Sequence, residues 1–195
     1  NRLKMLEGEV RRAEEAVYAQ LTGRIVEVLP SFAAAIEAFA LADLRAGTAK
    51  LAREIGLTYP ELPNAEQGFV ADLRGLRHPL LLLEHLDEGR AKARAAVIPS
   101  DIKIAQGRAL VVSGPNAGGK TVALKALGLS ALMLRCGLPI PCDEGSTLGL
   151  VESVLTDVGD DQSLQKSLST FSAHVDNLAR ILDAARPFTL VLLDE

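Results

Sequence analysis

Cysteine and aromatic residues are scarce in this sequence: its 195 residues include two cysteines, no tryptophan and 4% aromatic residues. Cys136 and Cys142 are too few for a disulfide framework, and the chain has no histidines at zinc-ligand spacing around them. We therefore expect two reduced thiols that pack inside the protein, and a cytoplasmic location. A hydrophobic share of 48% with 24% charged residues excludes a disordered, collagen-like or purely coiled-coil chain.

Long apolar runs are also lacking. The longest stretch without a charged residue runs from Ala109 to Gly119, eleven residues that include three glycines. A helix that spans a bilayer needs about 20 predominantly apolar residues, so we expect no transmembrane helix and no membrane partner. The chain starts at Asn1 without an initiator methionine or an apolar leader, which indicates a piece of a longer protein.

Positive charge is not in excess either. The 21 lysines and arginines face 25 aspartates and glutamates, which gives a net charge of −4. A general nucleic-acid binder has a basic excess. Any DNA must therefore be bound mainly by regions outside this chain.

Apolar residues recur every three or four positions near the start of the chain, which predicts amphipathic helices. Pro30-Ser31 interrupts the pattern, and Gly56 suits a left-handed C-terminal cap. We therefore predict a helical hairpin within residues 1–58. The two prolines of Tyr59-Pro-Glu-Leu-Pro63 predict a linker over residues 59–67.

Residues 68–195 alternate between short β-type runs and helical patterns, which favours an α/β fold with a largely parallel sheet. The predicted helices are Gly119–Arg135 and Phe171–Ala185. The predicted strands are Phe69–Leu73, Ala95–Ile98, Ile102–Ile104, Ala109–Ser113, Leu150–Val158 and Thr189–Leu193.

One glycine-rich stretch matches the pattern G-x-x-x-x-G-K-[ST] and lies between an apolar run and an amphipathic helix. Its glycines let the backbone wrap closely, so that amide groups and the helix N-terminus face an anion. Lys120 then reaches the β and γ phosphates of ATP, and the Thr121 hydroxyl binds Mg²⁺. The predicted nucleotide-binding residues of this loop are Gly114, Pro115, Asn116, Ala117, Gly118, Gly119, Lys120 and Thr121.

Two carboxylates, Asp194 and Glu195, follow the last apolar strand. In this position Asp194 suits a magnesium ion, and Glu195 suits the orientation or deprotonation of an attacking water. Taken alone, an acidic pair at the end of an apolar strand is usually a solvated strand end; the phosphate loop earlier in the chain favours the functional interpretation. Ser169-Thr-Phe-Ser-Ala-His174 starts the preceding helix, where hydroxyl groups either cap free amides or bind an anion.

These elements resemble the MutS family of DNA-repair ATPases. The stretch from Gly114 to Lys120 is similar to that family's phosphate loop, including an asparagine after the proline, and Arg77-His78-Pro79 resembles the lead-in to its ATPase domain. The resemblance implies a P-loop NTPase of the ABC/MutS type over residues 68–195, incomplete at its C-terminal end. It also implies that residues 1–58 are helices of the lever or core region.

Within the family, the chain is more similar to the second MutS subfamily than to the mismatch-recognising one. One motif of that subfamily is similar to the stretch Asp157-Val-Gly-Asp-Asp-Gln-Ser163. Ser167-Leu168 replaces the Gly-Arg that usually precedes Ser-Thr-Phe in mismatch-recognising members, and Ser172 replaces their methionine. The second subfamily is associated with branched DNA in bacterial recombination control, with rescue of collided ribosomes, and with a C-terminal nuclease domain.

The resemblance also implies residue roles. Lys120 and Glu195 are catalytic, and Asn116 lies near the γ-phosphate and the attacking water. Ser169 and Thr170 act in trans on the ATP of the other subunit of a homodimer.

Other positions depart from the family pattern or stay open. Val97 and Ile98 occupy the region of an aromatic residue that stacks on adenine, which implies an apolar clamp. His78 is interpreted either as a lid over the nucleotide or as a capped turn residue. The role of Gln162, near the family's acidic position or Q-loop, is open, and His174 is expected at the surface or in packing.

The implied function is that of an ATP-hydrolysing domain in a dimeric MutS-type protein that binds branched or recombination-intermediate DNA, with ATP and Mg²⁺ as cofactors. One alternative is a mismatch-recognising MutS ATPase. Another is a nucleotide-dependent clamp on stalled ribosomes, in which ATP mainly holds the dimer together. Any endonuclease activity belongs to regions outside this chain.

Overall fold

The computed structural model describes residues 2–64, 68–115, 118–158 and 167–194, with no side-chain description for 167–173. The chain divides into two compact units, Asn1–Gly47 and Thr48–Glu195. This division lies before the boundary predicted at residue 58. The last turns of the first helix therefore belong to the second unit.

A single helix, α1 (Arg2–Ile55), covers 54 residues and contains Pro30 in its interior, so the predicted hairpin is wrong. The proline removes one backbone donor and crowds the preceding turn, which costs about 3 kcal/mol. That cost is local, whereas alanine, leucine, glutamate and arginine favour helix on both sides. Ion pairs one turn apart, Arg11–Glu15 at 3.5 Å and Lys50–Glu54 at 3.9 Å, add a little support.

Helix α1 also has the length and apolar composition of a membrane-spanning helix, contrary to the expectation from charge-free runs. Glu27 and Glu37 are the only charged residues between Arg24 and Asp43. These two residues divide an otherwise apolar stretch into short charge-free runs, so no long charge-free run marks this part of the helix. Length and composition alone are weak evidence, since the core helix of a soluble protein passes the same test.

The segment after α1, where a linker was predicted over residues 59–67, is hydrogen-bonded to other residues of the second unit. Thr58 exchanges backbone hydrogen bonds of 2.8 and 2.9 Å with Ile140. The Glu61 amide donates to the Ser146 carbonyl at 2.8 Å, and the Glu61 carbonyl accepts from Leu148 at 3.0 Å. The prolines that flank Glu61 remove two donors, but the amide between them remains able to pair.

The strands form two sheets. Strand β1 (Val70–Leu76) pairs antiparallel with β2 (Ser100–Ala105) and β3 (Thr147–Leu148), whereas β4 (Ser153–Asp157) and β5 (Thr189–Leu193) form a parallel pair. The prediction of a largely parallel sheet therefore fits the second sheet and is wrong for the first. Charged and apolar residues alternate along β2, as expected of an antiparallel strand with one face exposed.

Helix α4 (Lys120–Arg135) lies against the core and ends in a glycine cap. Gly137 has φ 77°, and the amide of the next residue donates to the Met133 carbonyl at 2.9 Å, which is the bond pattern of a Schellman motif. The main core contains buried residues of α4, of both sheets and of the segments that connect them: Ala71, Leu73, Leu76, Ile102, Ala126, Leu127, Ala131, Leu134, Ile140, Cys142, Leu148, Val151, Leu190 and Leu192.

Two short helices, α2 (Pro79–Glu84) and α3 (Arg90–Ala96), lie between β1 and β2, with a 3-10 turn at Leu86–Glu88. Helix α3 occupies residues where a strand was predicted at Ala95–Ile98. A smaller core surrounds these helices and joins them to the end of α1; its buried residues are Ile55, Leu82, Ala93 and Val97. Helix α5 (Ser167–Ala184) connects β4 to β5 along the chain.

The apolar run before the phosphate loop, Ala109–Ser113, is not a strand in this structure, and Val111 is 85% exposed. A continuous apolar strand needs partner strands and cover on both faces. Within the described ranges, β5 pairs with β4 alone, and this run has no partner strand. Hydrophobicity alone was therefore insufficient to predict a strand here.

Candidate nucleotide-binding site

The phosphate loop leads directly into α4, and glycine shapes its backbone. Gly119 is the N-cap of α4 in the left-handed region, with φ 79° and ψ 15°, where a side chain causes strain. The Gly118 amide donates to the Pro115 carbonyl at 2.8 Å. The first amides of α4 lack acceptors within the helix, so its N-terminus favours an anion.

Lys120 folds back onto the start of the loop. Its Nζ donates to the Gly114 carbonyl at 2.7 Å. The ammonium group thus lies at the start of the loop. A phosphate oxygen is a stronger acceptor than a carbonyl, so a bound phosphate group would compete well for this donor.

Thr121 and Asp194, 73 residues apart in sequence, are in direct contact: the Thr121 hydroxyl donates to Asp194 Oδ2 at 2.5 Å. Gly128 permits this approach, because a Cβ there would lie 2.7 Å from Cδ1 of Leu192, which places α4 directly against β5. Hydroxyl and carboxylate oxygens are the ligands that Mg²⁺ prefers. The donor set therefore fits a magnesium ion, which Thr121 and Asp194 would hold.

A second carboxylate, Asp157, lies at the same sheet edge. Strands β4 and β5 are parallel, so their carboxyl ends coincide, and the Asp194 amide donates to the Asp157 carbonyl at 3.0 Å. The Asp157 carboxylate contacts His174 Nδ1 at 3.0 Å and accepts from Asn177 Nδ2 at 2.8 Å. These hydrogen bonds, that of His174 first, lower the pKa of Asp157, which keeps it charged at neutral pH.

This cluster was not predicted from the sequence. Asp157 was noted only as part of a motif, and His174 was expected at the surface or in packing. The available signal was an acid at the end of a predicted strand, followed by histidine and asparagine three positions apart on the next helix. Such spacing places both side chains on one helix face, but only the fold brings them to the strand end.

The predicted adenine clamp is wrong for Val97. Val97 is 4% exposed and packs with Ile55, Leu82 and Ala93, so it is a core residue that no base can reach. Ile98, the next residue, is 83% exposed. The two side chains therefore do not form one surface, and only Ile98 stays a candidate for contact with a base.

His78 is a buried helix cap. It precedes Pro79 at the N-terminus of α2, and its Nδ1 accepts from the Leu81 amide at 3.4 Å. Burial, and then the charge of Lys125, lower the pKa of His78, while Glu84 opposes the shift. The neutral ring that accepts a hydrogen bond is thus favoured, which fits a capped turn residue. A buried ring cannot cover a nucleotide, so the interpretation as a lid is wrong.

Several predicted site residues lie outside the described part of the chain: Asn116, Ala117, Gln162 and Glu195. Ser169 and Thr170 belong to the first turns of α5, but their side chains are also outside the description. The roles predicted for these residues therefore stay predictions. The described site consists of the loop, Lys120, Thr121, Asp194 and the neighbouring Asp157.

Comparison with known proteins finds similar sequences over this part of the chain. The family description MutS domain V matches residues 110–195, a range that contains the phosphate loop and the acidic strand end. The chain is 38% identical over 196 residues to the endonuclease MutS2 of Pelotomaculum thermopropionicum and 40% identical over 197 residues to that of Gemmatimonas aurantiaca, in each case over 100% of this chain. The similarity to endonuclease MutS2 of Aquifex aeolicus is 38% over 97% of this chain.

The similarity includes α1 as well as the residues of domain V, because the aligned regions cover nearly the whole chain. The chain spans about a quarter of the length of these relatives, 22% to 23% of each.

Proposed function

Because the chain belongs to the MutS family and is most similar to its second subfamily, we propose that it is the ATP-binding and ATP-hydrolysing part of a MutS-type DNA-binding protein. The proposal assigns residues 68–195 to a P-loop NTPase domain of the ABC/MutS type and a cytoplasmic location to the protein. The observation that supports it best is the contact of Thr121 with Asp194, which joins the phosphate loop to the acidic strand end.

Each part of the loop then has a role in the reaction. The amides at the N-terminus of α4 and the ammonium group of Lys120 bind the phosphates and stabilise the charge that develops during transfer. Mg²⁺, when bound, neutralises charge on the β and γ phosphates. Glu195 and Asn116 would position the attacking water, on the basis of the family resemblance.

The proposed assembly is a homodimer in which each chain completes the site of the other. Helix α5 begins at Ser167, so residues 169 and 170 lie in its N-terminal turns, where backbone amides are free. A γ-phosphate from the partner's site would bind there, with Ser169 and Thr170 as donors. This arrangement makes hydrolysis depend on closure of the dimer.

The substrate assignment follows the subfamily. The relatives are named endonuclease MutS2, and we propose branched or recombination-intermediate DNA as the target, bound mainly by other regions because this chain has a net charge of −4. The nuclease activity in that name would also belong to other regions. A clamp on stalled ribosomes with ATP as a dimer-holding ligand is the alternative.

A lysine substitution tests nucleotide binding. Lys120→Ala in the full-length protein should abolish nucleotide binding or turnover, because it removes the charged donor at the loop. Lys103→Ala is the matched control: Lys103 is an exposed lysine whose partner is Asp72 on β1, and its loss should leave the kinetics unchanged. Wild-type ATPase kinetics in Lys120→Ala would refute the assignment.

Hydrolysis is tested separately from binding. Glu195→Gln should retain nucleotide binding and lose most phosphate release, since an amide is a poor base for the attacking water. Undiminished phosphate release by the intact Glu195→Gln dimer would argue against the role of Glu195. Nucleotide-dependent dimerisation without phosphate release in the wild type would favour the clamp alternative.

A further inference from the structure

A continuous series of contacts connects the phosphate loop to α5. The Thr121 hydroxyl contacts Asp194, the Asp194 amide donates to the Asp157 carbonyl, and the Asp157 carboxylate contacts His174 on α5. The distances are 2.5, 3.0 and 3.0 Å. Each step is a direct hydrogen bond, so a displacement at one end changes the geometry at the other.

Two side chains of α5 hold the strand end from the same helix face. His174 and Asn177 are three residues apart, and each bonds one oxygen of Asp157; Asn177 also donates to the Thr156 carbonyl at 3.2 Å. A carboxylate bound through both oxygens fixes rotation of the helix as well as its distance. The Asp157 side chain is 13% exposed.

His85 and Glu88 form another histidine–carboxylate pair, which serves as a comparison within one turn. His85 Nδ1 contacts Glu88 Oε1, also at 3.0 Å, and the His85 side chain is 40% exposed against 41% for His174. His85 and Glu88 are three residues apart within one turn, whereas Asp157 and His174 are 17 residues apart and belong to different elements. Only the pair of Asp157 with His174 can therefore set the position of one element against another.

We infer that Asp157 and His174 form a positioning pair, which holds the N-terminal part of α5 in register with the edge that carries Asp194. This inference rests on the proposed function, because it assigns to the pair the task of aligning Ser169 and Thr170 for the partner's γ-phosphate. His174 acts through α5 and touches no substrate. The pair thus links the metal-binding edge of one chain to the site that the same chain completes in its partner.

The experiment compares substitutions in the full-length protein. His174→Ala removes the contact; His174→Asn keeps a donor the same number of bonds from the backbone as Nδ1; and His85→Ala removes the matched local pair. The measurements are kcat, the dissociation constant for nucleotide, and hydrogen exchange of the α5 amides without nucleotide.

His174→Ala should lower kcat by about tenfold or more, since misplacement by about 1 Å costs up to about a hundredfold. Its nucleotide affinity should stay within about twofold of wild type, because the loop contacts are intact. Exchange at the start of α5 should rise, His174→Asn should recover much of kcat, and His85→Ala should match wild type.

Wild-type kcat in His174→Ala, or an equal loss in His85→Ala, would overturn the inference. Parallel losses of affinity and kcat in His174→Ala, without recovery in His174→Asn, would indicate a general structural role and would also overturn it. A wild-type protein that binds no nucleotide would instead refute the proposed function, and the exchange data would then report only on α5 packing.

Discussion

A neutral histidine at a helix N-terminus illustrates how burial decides the role of a single residue. The sequence allowed His78 to be either a lid or a cap, because a histidine before a proline fits both. Burial removes it from solvent and leaves its Nδ1 to accept from Leu81. The ring thus serves as the N-terminal cap of α2.

The stability of the second unit should fall on acidification because of His78. Its pKa is lowered in the folded state, chiefly by burial, so the unfolded chain takes up a proton first as the pH falls below about 6.5. The free energy of unfolding should therefore decrease from about pH 6.5 downward. His78→Asn, which keeps a cap acceptor and cannot titrate, should show a smaller decrease in denaturant titrations at pH 7 and pH 5.5. An identical decrease in both proteins would contradict this explanation.

At the scale of elements, sequence patterns predicted the helices and strands whose formation depends on their own residues. Strand β5 was predicted with its observed bounds, Thr189–Leu193, and α4 within one residue, because an apolar run and a glycine-bounded amphipathic helix carry their own signals. The hairpin was wrong because one proline does not outweigh the helix-forming residues around it. Ala109–Ser113 was wrong because strand formation depends on partners that sequence patterns do not show.

Part of the candidate site could be proposed from the sequence. Lys120 and Thr121 follow from the loop motif, and the structure brings Thr121 into contact with Asp194, the other residue that the sequence assigns to magnesium. The pair of Asp157 with His174 depends on how α5 packs beside β4, and no local pattern encodes that. Val97 was assigned to a base because apolar character alone does not distinguish an exposed clamp from a core residue.

Arg94 caps the C-terminal end of α1. Arg94 on α3 donates to the Gly56 carbonyl at the end of α1 and to Asp143, both at 2.9 Å. Arg94→Ala should lower the free energy of unfolding of the second unit by about 1–3 kcal/mol, because the partly buried carbonyl and the carboxylate lose a charged donor. Lys92→Ala, an exposed cation on the same helix, should change it by less than about 0.5 kcal/mol. Equal effects of the two substitutions in denaturant titrations would rule out the capping role.

At the scale of the whole molecule, the two units should respond differently to ligand. The loop, Lys120, Thr121 and Asp194 all belong to the unit Thr48–Glu195, whereas the unit Asn1–Gly47 consists of α1 residues alone. A ligand that binds one folded unit stabilises that unit by mass action.

Mg²⁺ and ATP should therefore stabilise the second unit by about 2.7 kcal/mol at a hundred times the dissociation constant. Hydrogen exchange should slow throughout that unit and change little in residues 2–40. Chelation with EDTA should reverse most of the effect, and Lys120→Ala should abolish it. The same protection in Lys120→Ala would mean that nucleotide binds at another place.

The attachment of α1 also determines how the second unit would carry a mechanical load. A force along the axis of α1 would act first on the hydrogen bond at Gly56 and then on the paired backbone hydrogen bonds of Thr58 with Ile140. Because these bonds come before β1 along the chain, tension would reach them before the strands that carry the core. Under force, the junction at residues 55–61 should thus yield first and leave the paired strands β4 and β5 intact.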